Sequence, residues 1–191
     1  EIGVRLVGSE MCIRDRDKTK DVGALAAWLG SQEGVLSWKL DGLTIVLTYE
    51  EGKLAKAVTR GNGEIGEVIT SNARTFENLP LAIDFKGELV LRGEAVISYA
   101  DFEKINDEIT DEGAKYKNPR NLCSGSVRQL NNEITAQRHV QFFAFSLVSA
   151  DGVEFKTRNE QFDWLAERGF QVVEHVLSLI HISEPTRRTP I

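Results

Sequence analysis

Lys39 stands in the run Ser37-Trp38-Lys39-Leu40-Asp41-Gly42 of this 191-residue chain. Read as the end of a strand over Val35 to Leu40, the run puts Lys39 and Asp41 on one face with Ser37 beside them. A lysine between apolar neighbours on a buried strand is costly unless it is paired or functional. Desolvation lowers the pKa of such an ammonium and makes the neutral amine available as a nucleophile. A nearby carboxylate acts in the opposite sense, so Asp41 is expected to position the lysine or help bind a metal. Gly42 is expected to leave space for a ligand backbone. The bland reading is a hairpin-edge lysine before an Asp-Gly turn; Lys-x-Asp-Gly arises by chance in roughly one chain in twenty of this length.

Other charged residues sit where chemistry is plausible. Arg60 ends a strand beside Gly61-Asn62-Gly63, a geometry in which a cation reaches a ribose or phosphate. Arg92 and Glu94 share one face of a strand with Val90 and Val96, so each is expected to meet a ligand or a neighbouring strand rather than the other. Arg120, Ser124 and Arg128 fall within about 80° of one another on a helix that starts at Pro119 and runs to about Leu130. That stripe could grip phosphates while Val127 and Leu130 pack inward; a solvated basic face is the alternative. Cys123 reads as a buried thiol, Phe145 as a sheet-core or stacking aromatic, and His139 and His175 lack metal-ligand spacing.

The elements that must hold these residues are short strands and helices. A helix over Val22 to Leu29 stops at Gly30. Leu43 to Tyr49 turns through Glu50-Glu51-Gly52-Lys53 into Leu54 to Arg60 as a hairpin. A short helix is expected around Val68 to Phe76 and a strand from about Glu88 to Ile97. Ser98 and Asp101 read as a capping box for a helix with Phe102, Ile105 and Ile109 on one face. Glu112 to Asn118 reads as polar loop and Gln141 to Ser149 as a buried strand. Thr157 and Glu160 cap a last helix carrying Phe162 and Leu165, and Gly169 ends it before a strand over Phe170 to Val173. Hairpins with interposed helices and no internal repeat indicate an α+β domain of antiparallel sheets with flanking helices.

In order and spacing, the lysine run, Thr59-Arg60-Gly61-Asn62-Gly63, Leu91-Arg92-Gly93-Glu94 and Asn118-Pro119-Arg120-Asn121-Leu122-Cys123-Ser124-Gly125-Ser126-Val127-Arg128-Gln129-Leu130 resemble the adenylation domain of bacterial NAD-dependent DNA ligases. The lysine string alone resembles motif I of the wider covalent nucleotidyltransferases, which also include RNA ligases and capping enzymes. The Asn-Pro-Arg-Asn segment is the part that ATP-dependent relatives lack. The resemblance implies the covalent nucleotidyltransferase fold, NAD and magnesium as cofactors, and nicked double-stranded DNA as partner. It implies that Lys39 is the nucleophile with Asp41 beside it. It further implies that Ser37, Arg60, Glu94 and Phe145 contact the nucleotide, with Glu94 on the ribose and Phe145 stacked on adenine. Arg120 and Arg128 correspond to arginines that contact DNA phosphates. Two positions depart from the family pattern: Ser37 stands where a glutamate usually contacts the base, and Asn62 where aspartate is usual.

The sequence has 23 Lys and Arg against 29 Asp and Glu, a formal charge of −6, which excludes a wholesale nucleic-acid coat but not a local basic face. With 41% hydrophobic and 27% charged residues, disorder, collagen-like repeats and coiled coil are poor readings. No apolar run approaches a membrane span, and Cys12 and Cys123 form no disulfide framework or zinc site. A cytoplasmic monomer is expected. Met11 is the single methionine, and residues 1–16 and 177–191 resemble translated sequencing-adapter read-through. The chain is therefore expected to be a fragment, with the adenylation domain over 17–176. The resemblance places a nicotinamide mononucleotide-binding subdomain, later lysine motifs, an oligonucleotide-binding domain, a zinc module, a helix-hairpin-helix region and a BRCT domain outside it. Such a fragment is expected not to run the full ligation cycle. The competing functions are an ATP-dependent DNA or RNA ligase, told apart by labelled ATP against NAD, and a non-catalytic nucleotide-binding remnant, told apart by Lys39→Ala.

Overall fold

The β2–β3 hairpin sets the frame of the fold in a computed structural model that describes residues 21–31, 34–61 and 66–178. Strand β2 (Leu43–Glu50) and β3 (Lys53–Thr59) pair antiparallel through a turn in which Glu51 and Gly52 both have positive φ, 51° and 75°. Two left-handed central residues give the turn the twist a tight hairpin needs. A Cβ at Gly52 would lie 2.6 Å from the Ile83 carbonyl oxygen, so glycine is required there twice over. Strand β4 (Leu89–Val96) pairs with β2, and β5 (Gln141–Ala150) with β4, giving the antiparallel order β3-β2-β4-β5.

Alternation along these strands divides the sheet into two faces. Ile45, Leu47, Tyr49, Leu89, Leu91 and Ala95 are fully buried on one face, each large side chain among them stabilising by about 1.5–3 kcal/mol. Helix α1 (Val22–Leu29) opens the described chain, and helix α2 (Thr70–Ala73), Leu122, Cys123 and Val127 in and just after α4 (Pro119–Ser126), and Leu165 of α6 (Arg158–Glu167) join that core. The opposite face presents Thr44, Arg92 and Glu94, all half-buried. It is the polar face of the sheet.

Helix α6 (Arg158–Glu167) then returns the chain alongside β5. Ala144 N–H donates to Gln171 O at 2.8 Å and Val173 N–H to Ala144 O at 2.9 Å, a short parallel bridge in place of the expected strand over Phe170 to Val173. The chain continues into β6 (His175–Ser178), which pairs antiparallel with β1 (Gly34–Ser37), Ser37 opposite His175. The ladder reaches Ser178 opposite Gly34, two residues beyond the 176 boundary expected from the tail. The α+β class of antiparallel sheets with flanking helices is the architecture observed.

Several elements end earlier than their sequence pattern. β1 stops at Ser37, so Lys39 and Asp41 occupy an irregular, exposed segment and not a buried strand. Helix α3 (Tyr99–Glu108) is capped by Ser98, whose hydroxyl accepts from Asp101 N–H at 3.1 Å and donates to the Asp101 carboxylate at 2.6 Å. That pairing replaces the backbone arm of the expected capping box, which α6 does complete through Thr157 and Glu160. Glu112–Ala114 forms one turn of 3-10 helix within the expected polar loop. Helix α4 (Pro119–Ser126) ends four residues short of Leu130. The Asn72 side-chain amide donates to the carbonyls of Val127 and Gln129 at 2.6 and 2.9 Å, holding the segment that follows the helix. Leu130 is therefore fully exposed, contrary to its expected inward packing, and a separate α5 (Asn132–Ala136) follows. Asn62, Gly63, the expected adapter-like segment 1–16 and all but the first two residues of that expected over 177–191 lie outside the described residues.

Candidate active site

The Trp38 N–H donates to Glu174 O at 3.1 Å, fixing the segment after β1 against the entry to β6. This anchoring sets Lys39 and Asp41 over the polar face of the four-stranded sheet. Between them and that sheet lies a cavity of about 530 Å³, closed at its sides by the first turns of α4 and α6. Ser37, Lys39, Asp41, Arg60, Glu94, Arg120 and Phe145 all line it. Arg128 does not.

Its walls include the apolar Val35, Phe143, Phe145, Phe162 and Val173. Charged groups stand among them. Arg120 Nη1 donates to Asp41 Oδ1 at 3.0 Å, an exposed ion pair worth little in stability but enough to orient both groups. Glu94 accepts from Gly42 N–H at 3.1 Å on one oxygen and from the Thr44 hydroxyl at 2.9 Å on the other. Burial pushes the Glu94 carboxyl above its ordinary pKa; the Thr44 and Gly42 hydrogen bonds and the charges of Lys39 and Arg120 pull the other way without cancelling it. Burial likewise lowers the pKa of Arg92, and the cations Arg158 and Arg60 add to that. Guanidiniums crowded on one face mark a place where an anion would relieve repulsion.

Two expectations need correction at the lysine. Lys39 is exposed at the cavity mouth, so desolvation between apolar strand neighbours does not apply to it. Gly42 makes its close approach to the protein itself: a Cβ there would lie 2.0 Å from the Ala95 carbonyl oxygen, leaving the expected ligand-backbone role to be filled by a backbone contact to β4.

Comparison with known families matches residues 23–186 to the NAD-dependent DNA ligase adenylation domain. The chain belongs to that family. A DNA ligase from Lachnoclostridium phytofermentans is 66% identical over 169 residues, covering 88% of this chain and 26% of that protein. One from Ruminiclostridium cellulolyticum is 67% identical over 159 residues, covering 83% and 24%. The chain thus spans about a quarter of the length of these relatives. The solved structure of a mycobacterial DNA ligase D complexed with ATP and MES superimposes with a TM-score of 0.42 at 19% identity, over 76% of this chain and 41% of that one.

Within this ligase adenylation domain, the helical stripe of Arg120, Ser124 and Arg128 acts as two separate groups. Arg128 lies just past the end of α4, where its guanidinium pairs with Glu67 and donates to the Ser124 hydroxyl and, at 3.2 Å, to the Ser124 carbonyl. Arg120, a full helix away, faces the cavity. Sequence reading missed Thr44, Arg158, Phe143 and Phe162 as cavity residues. Thr44 carried half a signal: it falls on the same face of β2 as Val46 and Thr48, but only the register puts it opposite Glu94. Arg158, whose Nη2 donates to Phe145 O at 2.9 Å and whose guanidinium lies 5.8 Å over the Phe162 ring, carried none, being an ordinary first residue after a helix cap.

Cys123 is a structural thiol, as expected. It is fully buried, its Sγ donates to Ala95 O at 3.2 Å, and burial pushes its pKa up to about 12. Since the thiolate is the reactive form, an alkylating reagent at pH 8 should leave the peptide containing Cys123 unlabelled until denaturant is added, as read by peptide mass mapping. Among the described residues no group of three His, Cys, Asp or Glu side chains could hold a metal, and no helix is long and apolar enough to cross a membrane.

Proposed function

We propose that the cavity binds the adenylyl half of NAD and that Lys39 is the residue it adenylates, within an NAD-dependent DNA ligase. What carries this reading is the convergence in one cavity of a solvent-facing lysine, a held carboxylate, three arginines and aromatic walls. The Lys39 amine, having lost a proton to solvent, attacks the α-phosphorus. A P–N bond forms, the P–O bond to nicotinamide mononucleotide breaks, and that nucleotide leaves. The adenine lies against Phe145, with Ser37 offering a hydroxyl in place of the usual carboxylate. Glu94 accepts from the ribose, and Arg60 meets the ribose or the phosphates.

AMP then passes to the 5′-phosphate at a nick in duplex DNA, with P–O–P formation and release of the lysine. The 3′-hydroxyl displaces AMP to seal the strand. Arg120 and Arg128 are the proposed contacts to DNA phosphates, the first by exchanging Asp41 for a phosphate. Phosphoryl transfer rests on positioning and electrostatics, which is what these groups supply. Magnesium would be held mainly by substrate phosphates and water, with Asp41 as the available carboxylate, and would offset phosphate charge. Residues 17–176 are the proposed adenylation unit, and the cytoplasmic, monomeric setting follows from the family reading.

The test is a chimera in which residues 23–186 replace the matching segment of the Lachnoclostridium phytofermentans relative. Supplied with adenylyl-labelled NAD and magnesium, it should acquire protein-bound label and seal nicked DNA, whereas labelled ATP should give neither. Labelling from ATP alone would support the ATP-dependent alternative, and labelling from neither would support a non-catalytic remnant.

A further inference from the structure

We propose that Thr44 is a positioning residue for ribose recognition, acting by clamping Glu94 in the orientation that accepts the ribose hydroxyls. The inference rests on the reading of the cavity as a nucleotide site, but its substance is local geometry. Thr44 and Glu94 are directly opposed in the β2–β4 ladder, on the cavity face of the sheet. The Thr44 hydroxyl donates to Oε2 at 2.9 Å and Gly42 N–H to Oε1 at 3.1 Å. One donor on each oxygen fixes the carboxylate plane, and a carboxylate oxygen has a second acceptor site for a ligand hydroxyl. Thr44 is also β-branched, so its χ1 is stiff and the hydroxyl is held where the strand puts it.

The charged and titratable groups around Glu94 would not do this unaided. Lys39 on the segment after β1, and Arg120 and Cys123 on α4, face it from above and from the helix side. Strand β5 opposes it with the apolar Phe143. Without the threonine hydroxyl, Oε2 loses its donor and the carboxylate is free to turn away from the ribose. Burial, already the dominant influence on Glu94, would then favour its protonated form at a higher pH. The affinity that depends on ionised Glu94 is present above its pKa and lost as pH falls through it, so that loss should begin at higher pH in the variant.

Titration calorimetry of the 191-residue chain with adenosine and with 2′,3′-dideoxyadenosine tests this. Thr44→Val should weaken adenosine roughly tenfold, the worth of one hydrogen bond to a charged acceptor. It should leave dideoxyadenosine unchanged and move the pH midpoint of adenosine binding upward. Thr44→Ser should restore both adenosine affinity and midpoint. Equal adenosine binding by Thr44→Val and the unaltered chain would overturn the inference, as would equal losses for the two nucleosides or no rescue by serine. An unaltered chain that binds neither nucleoside would instead overturn the nucleotide-site reading, and this inference with it.

Discussion

Lys39→Arg in the chimera should lower the rate of protein labelling from NAD by at least about a thousandfold, the scale expected when a covalent nucleophile is removed. Arginine tests the idea more sharply than alanine. It keeps the positive charge that the cavity and Glu94 experience from Lys39, yet a guanidinium is never neutral in a protein and cannot attack phosphorus. If Lys39 served only to neutralise phosphate charge, arginine would preserve much of the rate. The geometry favours nucleophilic use: the Trp38–Glu174 backbone bond fixes the segment, and the exposed amine opens onto the cavity with no ion pair of its own among the described residues. Single-turnover labelling, followed on gels, separates the two roles. Substantial residual labelling in Lys39→Arg would move the nucleophile elsewhere.

Gly42→Ala should destabilise the fold by about 2–4 kcal/mol and abolish adenosine binding, an effect of overpacking against backbone that cannot move aside. The added Cβ would lie 2.0 Å from the Ala95 carbonyl oxygen and 2.8 Å from Val96 Cγ1. Both belong to β4, a central strand hydrogen-bonded to β2 and β5 and therefore poorly able to shift. To relieve the contact, the chain entering β2 must lift away, taking with it the Gly42 N–H that holds Glu94 and the preceding Asp41 that meets Arg120. Urea unfolding measures the first effect and calorimetry with adenosine the second. A variant with the original midpoint and undiminished affinity would show that the segment is looser than its contacts imply.

These two residues also illustrate what a sequence can and cannot convey. The Lys-x-Asp-Gly string drew attention to Gly42, but its partner is a carbonyl more than fifty residues away, and periodicity holds no information on that approach. The hairpin at Glu51-Gly52, strand β4 and the capping box at Thr157 were legible because their determinants are local: turn chemistry, alternation and a cap three residues from its partner. The ends of β1 and α4 were not, because distant groups set them. Glu174 accepts the Trp38 amide as the last bond in the β1–β6 register, and Asn72 holds the carbonyls of Val127 and Gln129 past the end of α4. Seven of the eight site residues named from motifs fall around one cavity, since motifs carry the outcome of a fold without its geometry. Thr44 needed the strand register itself, which no local pattern supplies.

The most direct measurement is the location of the AMP. The chimera, labelled with NAD, is digested under alkaline conditions and its peptides mapped by mass spectrometry. A phosphoramidate predicts a single adenylated peptide with AMP on Lys39, stable in base and lost in acid. AMP on any other residue, or an adduct that survives acid but not base, would contradict the assignment of Lys39 as the adenylated nucleophile.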